Sequence, residues 1–270
     1  MIGARDLARG VPATPSVRDL GRGGWRALGG LVLPLALLGL WQLTTSIGVF
    51  TAVQLSPPAA VANAAVELLE RGQLGAYVGI STQRVLLGFA IGGTLGLALG
   101  AVTGLSRTWN TVLGSTLGAI RAVPSLAWVP LFVLWLKIGE ESKVTLIAVG
   151  AFFPVYTTVT GALRHVDRHL VEAGRAFGLR RLQLFTTIQL PAVVPSVIAG
   201  LRLALAQAWL FLVAAELIAS SAGLGFLLID SQNNGRVDRI LLAIVLLAVS
   251  GKATDALLGI FERWAVRRWT

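Results

Sequence analysis

The chain has 270 residues, of which 55% are hydrophobic and 13% are charged. A soluble domain usually carries about 25% charged residues, so this composition excludes an ordinary soluble enzyme and indicates a membrane protein. The net charge is +10, but the arginines cluster beside apolar runs, which favours retention of loops in the cytoplasm over binding of nucleic acid. The absence of cysteine from the sequence excludes disulfides, thiol chemistry and cysteine-based metal sites.

The N-terminal segment predicts a basic, disordered cytoplasmic tail over residues 1–26. Between residues 10 and 16 it is rich in glycine, proline, threonine and serine, a composition typical of solvated chain. The basic region is long, the apolar run that follows exceeds the ~7–15 residues of a signal peptide, and no small-x-small cleavage site closes it. We therefore expect an uncleaved first span and a transmembrane domain over residues 27–268.

Six apolar segments follow, each close to the ~20 residues that cross a bilayer. They lie near residues 28–48, 83–105, 112–136, 143–163, 193–217 and 240–260. The third segment contains Arg121, Pro124 and Pro130, so we expect it to be kinked, with neighbouring helices satisfying the freed carbonyls. The predicted fold class is all-α, a polytopic membrane protein with about six transmembrane helices.

The segment between the first two spans, residues 49–82, predicts a short helix on the outer surface. Pro57-Pro58 breaks the chain before this helix. The residues that share its apolar face are Val61, Ala65, Leu68 and Leu69. Such a helix either lies on the lipid surface or touches a delivery protein.

The second span carries a glycine at every fourth position. These glycines are Gly88, Gly92, Gly96, Gly100 and Gly104. Because a helical turn takes about 3.6 residues, they form one slowly drifting stripe. Stripes of small residues let two helix backbones approach closely in lipid. We expect this stripe to pack a helix within the subunit, the alternative being a face between two subunits.

Ionisable residues inside the predicted spans are functional candidates, because a charge there is costly; those considered for the translocation path are Arg121, Arg202 and Glu216. Arg121 and Arg202 each lie about nine residues into a span, which at about 1.5 Å per residue is about 14 Å deep. Glu216 lies near the outer end of the fifth span. The shared depth of the arginines favours a path for an anion; the alternative is that each pairs with carbonyls or polar neighbours. Arg84 and Lys143 lie at span ends, where snorkelling accounts for them.

The cationic residues are distributed unevenly between the two sides of the predicted spans. On one side are Arg5, Arg9, Arg18, Arg22, Arg26, Arg107, Arg164, Arg168, Arg175, Arg180, Arg181, Arg263, Arg267 and Arg268. On the other side are Arg71, Arg84, Lys137, Lys143, Arg236 and Arg239. Because the cytoplasmic side of a membrane protein carries the excess of arginine and lysine, we predict that both termini and residues 164–192 are cytoplasmic.

The loop at residues 164–192 is a polar, arginine-bearing interruption with apolar residues at roughly helical spacing. These apolar residues are Leu170, Ala173, Phe177, Leu182 and Phe185. Asp167 can cap a helix start, and Gly178 can end a helix in the left-handed conformation. The sequence predicts a short helix, a glycine turn and a second short helix that ends at Pro191. This unit either docks into a groove on a partner or lies on anionic lipid.

The same loop resembles the cytoplasmic E-A-A coupling motif of ABC importer permeases. It reads Glu172-Ala173-Gly174, then Gly178, then Ile188-Gln189-Leu190-Pro191, with the spacing of the motif throughout. Gly174 replaces an alanine of the pattern, a change expected to loosen the helix start. Segments 123–131, 139–143, 150–154, 200–202 and 215–219 resemble the nitrate, sulfonate and taurine branch, with aliphatic sulfonate permeases most similar in appearance. The resemblance covers roughly residues 30–268.

The resemblance implies a type I ABC importer permease fold in the bacterial inner membrane and a set of partners. Two permease copies, expected to be identical, pair with two cytoplasmic ATPase subunits that bind ATP and magnesium, while this chain binds no cofactor itself. An extracytoplasmic binding protein delivers a small anion. The residues that the resemblance assigns to ATPase coupling are Glu172, Ala173, Gly174, Gly178, Ile188, Leu190 and Pro191. Arg121, Arg202 and Glu216 are the candidates for the translocation path.

No catalytic pattern is found in the sequence. Gly251-Lys252 lacks the first glycine of a P-loop, so the chain is predicted not to bind ATP, and His165 and His169 lack the glutamate of a zinc-binding H-E-x-x-H pattern. One alternative is the same machinery with another cargo, such as an aromatic acid, bicarbonate or a thiamine precursor. Others are a self-sufficient secondary transporter, which would need coupling-ion sites or an inverted repeat, and a structural membrane scaffold.

Overall fold

The structure is a computed structural model that describes residues 17–269, with side chains at residues 32–265 and 267 apart from 219. Helices and short connections make up all of this part of the chain, which confirms the predicted all-α class. The helices are α1 (Val17–Ser46), α2 (Pro58–Glu70), α3 (Gln73–Leu105), α4 (Arg107–Ala122), α5 (Val129–Leu136), α6 (Glu140–Arg164), α7 (Arg168–Ala176), α8 (Arg181–Leu184), α9 (Leu190–Ala219), α10 (Leu224–Asn233) and α11 (Val237–Trp269).

Contacts divide the chain into a first unit that ends at Ala59 and a second that begins at Ala60. The first unit contains α1. Residues 17–26 of the predicted tail belong to this helix, which continues through Pro34 to Ser46. Residues 1–16 of the predicted tail lie outside the described residues, so the predicted boundary between tail and transmembrane domain stays a prediction.

Four helices within residues 17–269 are long and apolar enough to cross a membrane: Gln73–Leu105, Glu140–Arg164, Arg181–Ile218 and Val237–Ala265. They coincide with the predicted second, fourth, fifth and sixth spans. The described apolar part of α1, Val32–Ser46, is shorter than the ~20 residues that a span needs.

The third predicted span, residues 112–136, is not one helix. Helix α4 and the segment Ser125–Leu136 are bent by 84° where they meet. Val123 has an extended backbone, with φ −74° and ψ 126°, because the ring of Pro124 clashes with a helical conformation of the residue before it. The sequence predicted a kink, and the correction is a complete break, after which a 3₁₀ turn at Ser125–Trp128 leads into α5.

Helices α3 and α6 run parallel in constant register along the glycine stripe. A Cβ atom added to a stripe glycine would meet α6 at every position: Gly88 at Ile147, Gly92 at Ala148, Gly96 at Val155, Gly100 at Val159 and Gly104 at Leu163. At Gly96 and Gly100 the added Cβ would lie 2.9 Å from a valine Cβ, closer than real Cβ atoms approach. The stripe therefore lets the two backbones approach within the subunit.

The buried core lies among α3, α6 and α9, with α6 contacting both of the other helices. Close packing between α6 and α9 includes Gly150 against Phe211 and Gly200 against Thr158. Helix α10 lies outside every predicted span and contacts α9 and α11. The sequence does not predict this helix, because it is short and its polar C-terminal residues interrupt the hydrophobic periodicity.

Candidate functional site

The loop at residues 164–192 begins as the sequence predicts. The Asp167 carboxylate accepts a hydrogen bond of 2.8 Å from the backbone N–H of His169 and caps the start of α7. The helix ends at Ala176, and Gly178 follows with φ +79°, the left-handed conformation that favours glycine. The predicted helix start and glycine turn are both confirmed.

The second helix of the loop does not end at Pro191. It starts at Arg181, passes through a π turn at Phe185–Gln189 and continues as the span that reaches Ile218. Pro191 lies in the first turn of α9, where the wider π turn accommodates the missing backbone N–H. The predicted end at Pro191 was wrong, and the correction joins the loop directly to a membrane span.

Gly174 connects the two halves of the loop. It is buried, and a Cβ atom there would overlap with the Ile188 side chain and lie 2.7 Å from Leu184 Cδ1. The residue that departs from the alanine of the motif is therefore the one against which Ile188 packs. Instead of loosening the helix start, glycine at this position permits close packing of α7 on the start of the following span.

The other residues of the motif lie at the surface or at its edge. Glu172 and Ala173 are exposed, whereas Ile188, Leu190 and Pro191 are half-buried. Three apolar side chains of the same loop are exposed: Phe177 by 86%, Leu182 by 74% and Leu170 by 51%. A folded polar loop gains no stability from exposing such side chains, so they form a surface available to a partner.

The two arginines predicted at mid-membrane have different surroundings. Arg202 of α9 donates to both carboxylate oxygens of Asp255 and to Glu262, with all three distances 2.9 Å, and both acids lie on α11. Arg121 is exposed in the last turn of α4 and pairs with no carboxylate among the described residues. The structure thus gives Arg202 a helix-pairing role and leaves Arg121 free.

Glu216 is fully buried at the C-terminal end of α9. Its carboxylate accepts hydrogen bonds from Ser81 Oγ (2.8 and 2.9 Å), Arg84 Nη1 (2.6 Å) and the backbone N–H of Gly225 (2.7 Å). Arg84, on α3, is 5% exposed and also binds the Glu140 carboxylate through Nε at 2.7 Å. We call Ser81, Arg84, Glu140, Lys143 and Glu216 the Glu216 cluster.

The snorkelling predicted for Arg84 and Lys143 was wrong. Both side chains are buried, and Lys143 donates to Glu140 at 2.9 Å. Three buried ionisable groups can coexist here because each charge faces an opposite charge and further hydrogen-bond donors. The signal that could have found the cluster was in the sequence, since Arg84 and Lys143 both interrupt apolar runs.

The Glu216 cluster also holds α10 in place. Ser81 accepts a hydrogen bond of 2.8 Å from the backbone N–H of Leu224, and Gly225 donates to Glu216. A Cβ atom at Gly223, which has φ +122°, would overlap with the Glu216 carboxylate. The cluster therefore ties together one end of four helices, α3, α6, α9 and α10.

Helix α2 is attached to the start of α11 by ion pairs. Glu67 binds Arg239 at 2.9 Å and Arg236 at 3.1 Å, and hydrogen bonds from Arg239 and then Arg236 lower the pKa of the Glu67 carboxyl. The buried residues of the helix are Val61, Ala64 and Leu68. The predicted apolar face was wrong at Leu69, which is exposed. The face of α2 that is buried against the protein contains positions i, i+3 and i+7, starting from Val61.

These features define a membrane transport component: apolar spanning helices, charges buried between them and an exposed helical loop continuous with one span. Residues 92–267 match the family model described as binding-protein-dependent transport system inner membrane component. The chain belongs to this family. It is a permease of the ABC importer class, a transport subunit and not a catalytic enzyme, located in the membrane.

The chain is similar to permeases named for sulfonate and taurine transport. Proteins named as aliphatic sulfonates transport permease SsuC are 38% identical in Bacillus subtilis, over 90% of this chain and 87% of that one, and 38% identical in Escherichia coli, over 87% and 89%. The Escherichia coli taurine transport system permease TauC is 31% identical over 79% of each chain. The resemblance to the sulfonate and taurine branch is confirmed.

A solved structure supports the fold. A chain of the MetNI methionine ABC transporter in an inward-facing conformation superposes with a TM-score of 0.59, covering 72% of this chain and 94% of that chain, at 21% identity. This likeness shows that the two chains share a fold, and the predicted importer permease fold is confirmed.

Proposed function

We propose that this permease imports a small organosulfonate anion and that a separate cytoplasmic ATPase, docked on residues 164–192, supplies the energy. The observation that carries the coupling role is the exposed apolar surface of Leu170, Phe177 and Leu182 beside the motif residue Glu172. Support for the cargo comes from the two SsuC relatives. Taurine, nitrate, aromatic acids, bicarbonate and thiamine precursors are the alternative cargoes.

The loop is built to transmit a displacement. Because Gly174 packs against Ile188 and Leu184, α7 moves with the start of the following span. That span is one helix from Arg181 to Ile218, so motion of the docked loop passes into the membrane without a flexible joint. ATP-driven approach of two ATPase subunits would in this way rotate the spans between two states as rigid bodies.

The partners proposed are those of a complete importer. Two ATPase subunits carry ATP and magnesium, a second copy of this permease completes the pathway, and an extracytoplasmic binding protein delivers the cargo. Support for a cytoplasmic 164–192 loop and cytoplasmic termini comes from the arginine bias of the sequence.

For the translocation path we propose Arg121 as the residue that meets the anion. Arg202 is already neutralised by Asp255 and Glu262, and the Glu216 carboxylate is already bound to Arg84. Both of these residues therefore hold helices together, whereas Arg121 has no carboxylate partner within the described chain. Near the bend between α4 and α5, an unpaired guanidinium can bind a sulfonate through two parallel hydrogen bonds.

The test is substrate-stimulated ATP hydrolysis in liposomes that contain this chain with the ATPase and binding protein encoded beside it. Alkanesulfonates, taurine, nitrate and aromatic acids would be compared, using wild type, Glu172→Ala, Phe177→Ala and a control. The control, Leu69→Ala, removes another exposed apolar side chain, which lies on α2. We expect alkanesulfonates to stimulate hydrolysis, and both loop variants, but not the control, to lose it. Transport without any ATPase, unchanged by Glu172→Ala, would instead indicate a secondary transporter.

A further inference from the structure

A cavity lies between the 164–192 loop and the junction of α3 with α4. Its volume is about 500 Å³. The residues that line it are Leu105, Ser106, Arg107, Arg175, Arg181, Leu184, Phe185 and Gln189. Three arginines, one from the start of α4 and two from the 164–192 loop, thus line one cavity, which we call the arginine cavity.

The three arginines have no acidic partner. None of Arg107, Arg175 and Arg181 forms an ion pair with a carboxylate anywhere in the part of the chain that the structure describes, and all three are exposed. By contrast, Arg84, Arg202, Arg236 and Arg239 each pair with a carboxylate of another helix or of a neighbouring residue. Three converging positive charges without a counter-charge attract an anion with several oxygen acceptors.

The position of the cavity points to the membrane rather than to the ATPase. It lies where α3 ends at Leu105 and where the span that continues into α9 begins, and Trp109 beside it is half-exposed, as interfacial tryptophans are. Along α7, at about 100° per residue, Arg175 lies on the side opposite Leu170 and Phe177. The proposed ATPase surface and the arginine cavity therefore face different ways.

We propose that the arginine cavity binds the phosphate group of an anionic lipid in the leaflet next to the 164–192 loop. A bound headgroup would touch the end of α3, the start of α4 and both halves of the loop at once. It would thus fix the resting position of the element that is proposed to transmit the ATPase motion. Basic pockets between transmembrane helices bind phospholipid headgroups by this chemistry.

The test uses the full permease chain in an uncharged detergent, titrated with short-chain phosphatidylglycerol and, separately, with phosphatidylcholine. Arg107→Gln with Arg181→Gln removes two cavity charges. The matched control, Arg164→Gln with Arg168→Gln, removes two charges from the same loop at exposed residues that do not line the cavity. At about fivefold per arginine, we expect the cavity variant to bind phosphatidylglycerol roughly 25-fold more weakly, and the control to change less than about twofold.

Four outcomes would overturn the proposal. Equal losses in the two double variants would mean general attraction of a basic loop to acidic lipid. Equal binding of phosphatidylcholine would exclude a charge-selective site. Binding of inorganic phosphate to the cavity more tightly than phosphatidylglycerol, with displacement of the lipid, would assign the cavity to a free oxyanion. Loss of lipid when the ATPase is added would assign the arginines to acidic residues of that subunit.

A further variant controls for misfolding. Arg107→Lys with Arg181→Lys keeps both charges, so it should bind phosphatidylglycerol more tightly than the glutamine variant does. None of these lipid-binding measurements depends on transport, so their outcome is independent of the proposed cargo.

Discussion

The two ends of the helix core differ in how their charges are satisfied. At the end that holds the Glu216 cluster, Arg84 lies between Glu216 and Glu140, and Lys143 shares Glu140. Nearby, Glu67 pairs with Arg236 and Arg239. At the other end, in the 164–192 loop, Arg175 and Arg181 pair with no carboxylate in the described chain, and Phe177 and Leu182 stand in the open. The charges named at the first end pair within the chain, whereas Arg175 and Arg181 at the second end have no carboxylate partner among the described residues.

This difference indicates which end of the helix core is held rigidly and which end receives the motion of a partner. A buried ion-pair network fixes one arrangement of helices, because breaking it strands a charge in a medium of low polarity. Unpaired arginines and exposed apolar side chains cost little in water and become favourable only when a partner covers them. The comparison predicts that substitutions at the Glu216 cluster change stability and that substitutions on the loop surface change coupling.

The largest effect is expected from Glu216→Gln. This change keeps the shape of the side chain but leaves Arg84 buried with one acidic partner, which should lower the free energy of unfolding by about 3–5 kcal/mol. Denaturant unfolding in a mild detergent measures it. The matched control is Glu172→Gln on the exposed loop, for which a change within about 0.5 kcal/mol is expected. Equal stabilities of the two variants would break the comparison.

A smaller loss of stability is expected from substitutions in the glycine stripe, which runs along α3 between the two ends of the helix core. Gly96→Leu forces a side chain into Val155 and the Phe152 carbonyl, so α3 and α6 must separate at a cost of about 1–3 kcal/mol or more. Gly79→Leu, on the same helix with nothing within 4 Å of the added Cβ, is the control. Thermal unfolding and size-exclusion profiles compare them, and intact assembly of Gly96→Leu would contradict the packing role.

Within the loop, Gly174→Ala tests whether α7 and the following span move together. The added methyl meets the terminal methyl groups of Ile188 and Leu184, which can move aside, so the free energy of unfolding should fall by less than about 1 kcal/mol while the displaced side chains reduce ATPase coupling. Ile188→Val in the same chain makes room, so the double variant should recover part of the loss. Purely additive effects in this double-mutant cycle would show that the contact does not matter.

The smallest effect is a pH dependence at α2. Hydrogen bonds from Arg239 and Arg236 hold the pKa of Glu67 below its ordinary value, so its contribution to stability is present above the unfolded pKa of about 4.3 and is lost as pH falls through the lower folded pKa. The protection factors of the α2 amides, which correct for the slower intrinsic exchange at low pH, should therefore fall as the pH drops below the folded pKa of Glu67. Glu67→Gln should exchange faster at neutral pH and lose this dependence; an unchanged acid profile in the variant would assign it to another group.

Local features of the fold followed from the sequence alone. Four spans were predictable because a helix in lipid must be apolar along about 20 residues, a property that needs no knowledge of neighbours. The start of α7 at Asp167 and the turn at Gly178 were predictable because a cap and a left-handed glycine act within one turn of chain. The coupling motif was readable for the same reason, since its residues are close in sequence.

Other features were decided only by the tertiary structure, because they depend on residues far apart in the chain. Ser81, Arg84, Glu140 and Glu216 come from three helices, and only their packing shows that Arg84 is buried and paired instead of snorkelling. The pairing of Arg202 with Asp255 and the fit of Gly174 to Ile188 are of the same kind. A charge in an apolar run indicates that the charge has a partner, but hydrophobic periodicity does not show which helix supplies that partner.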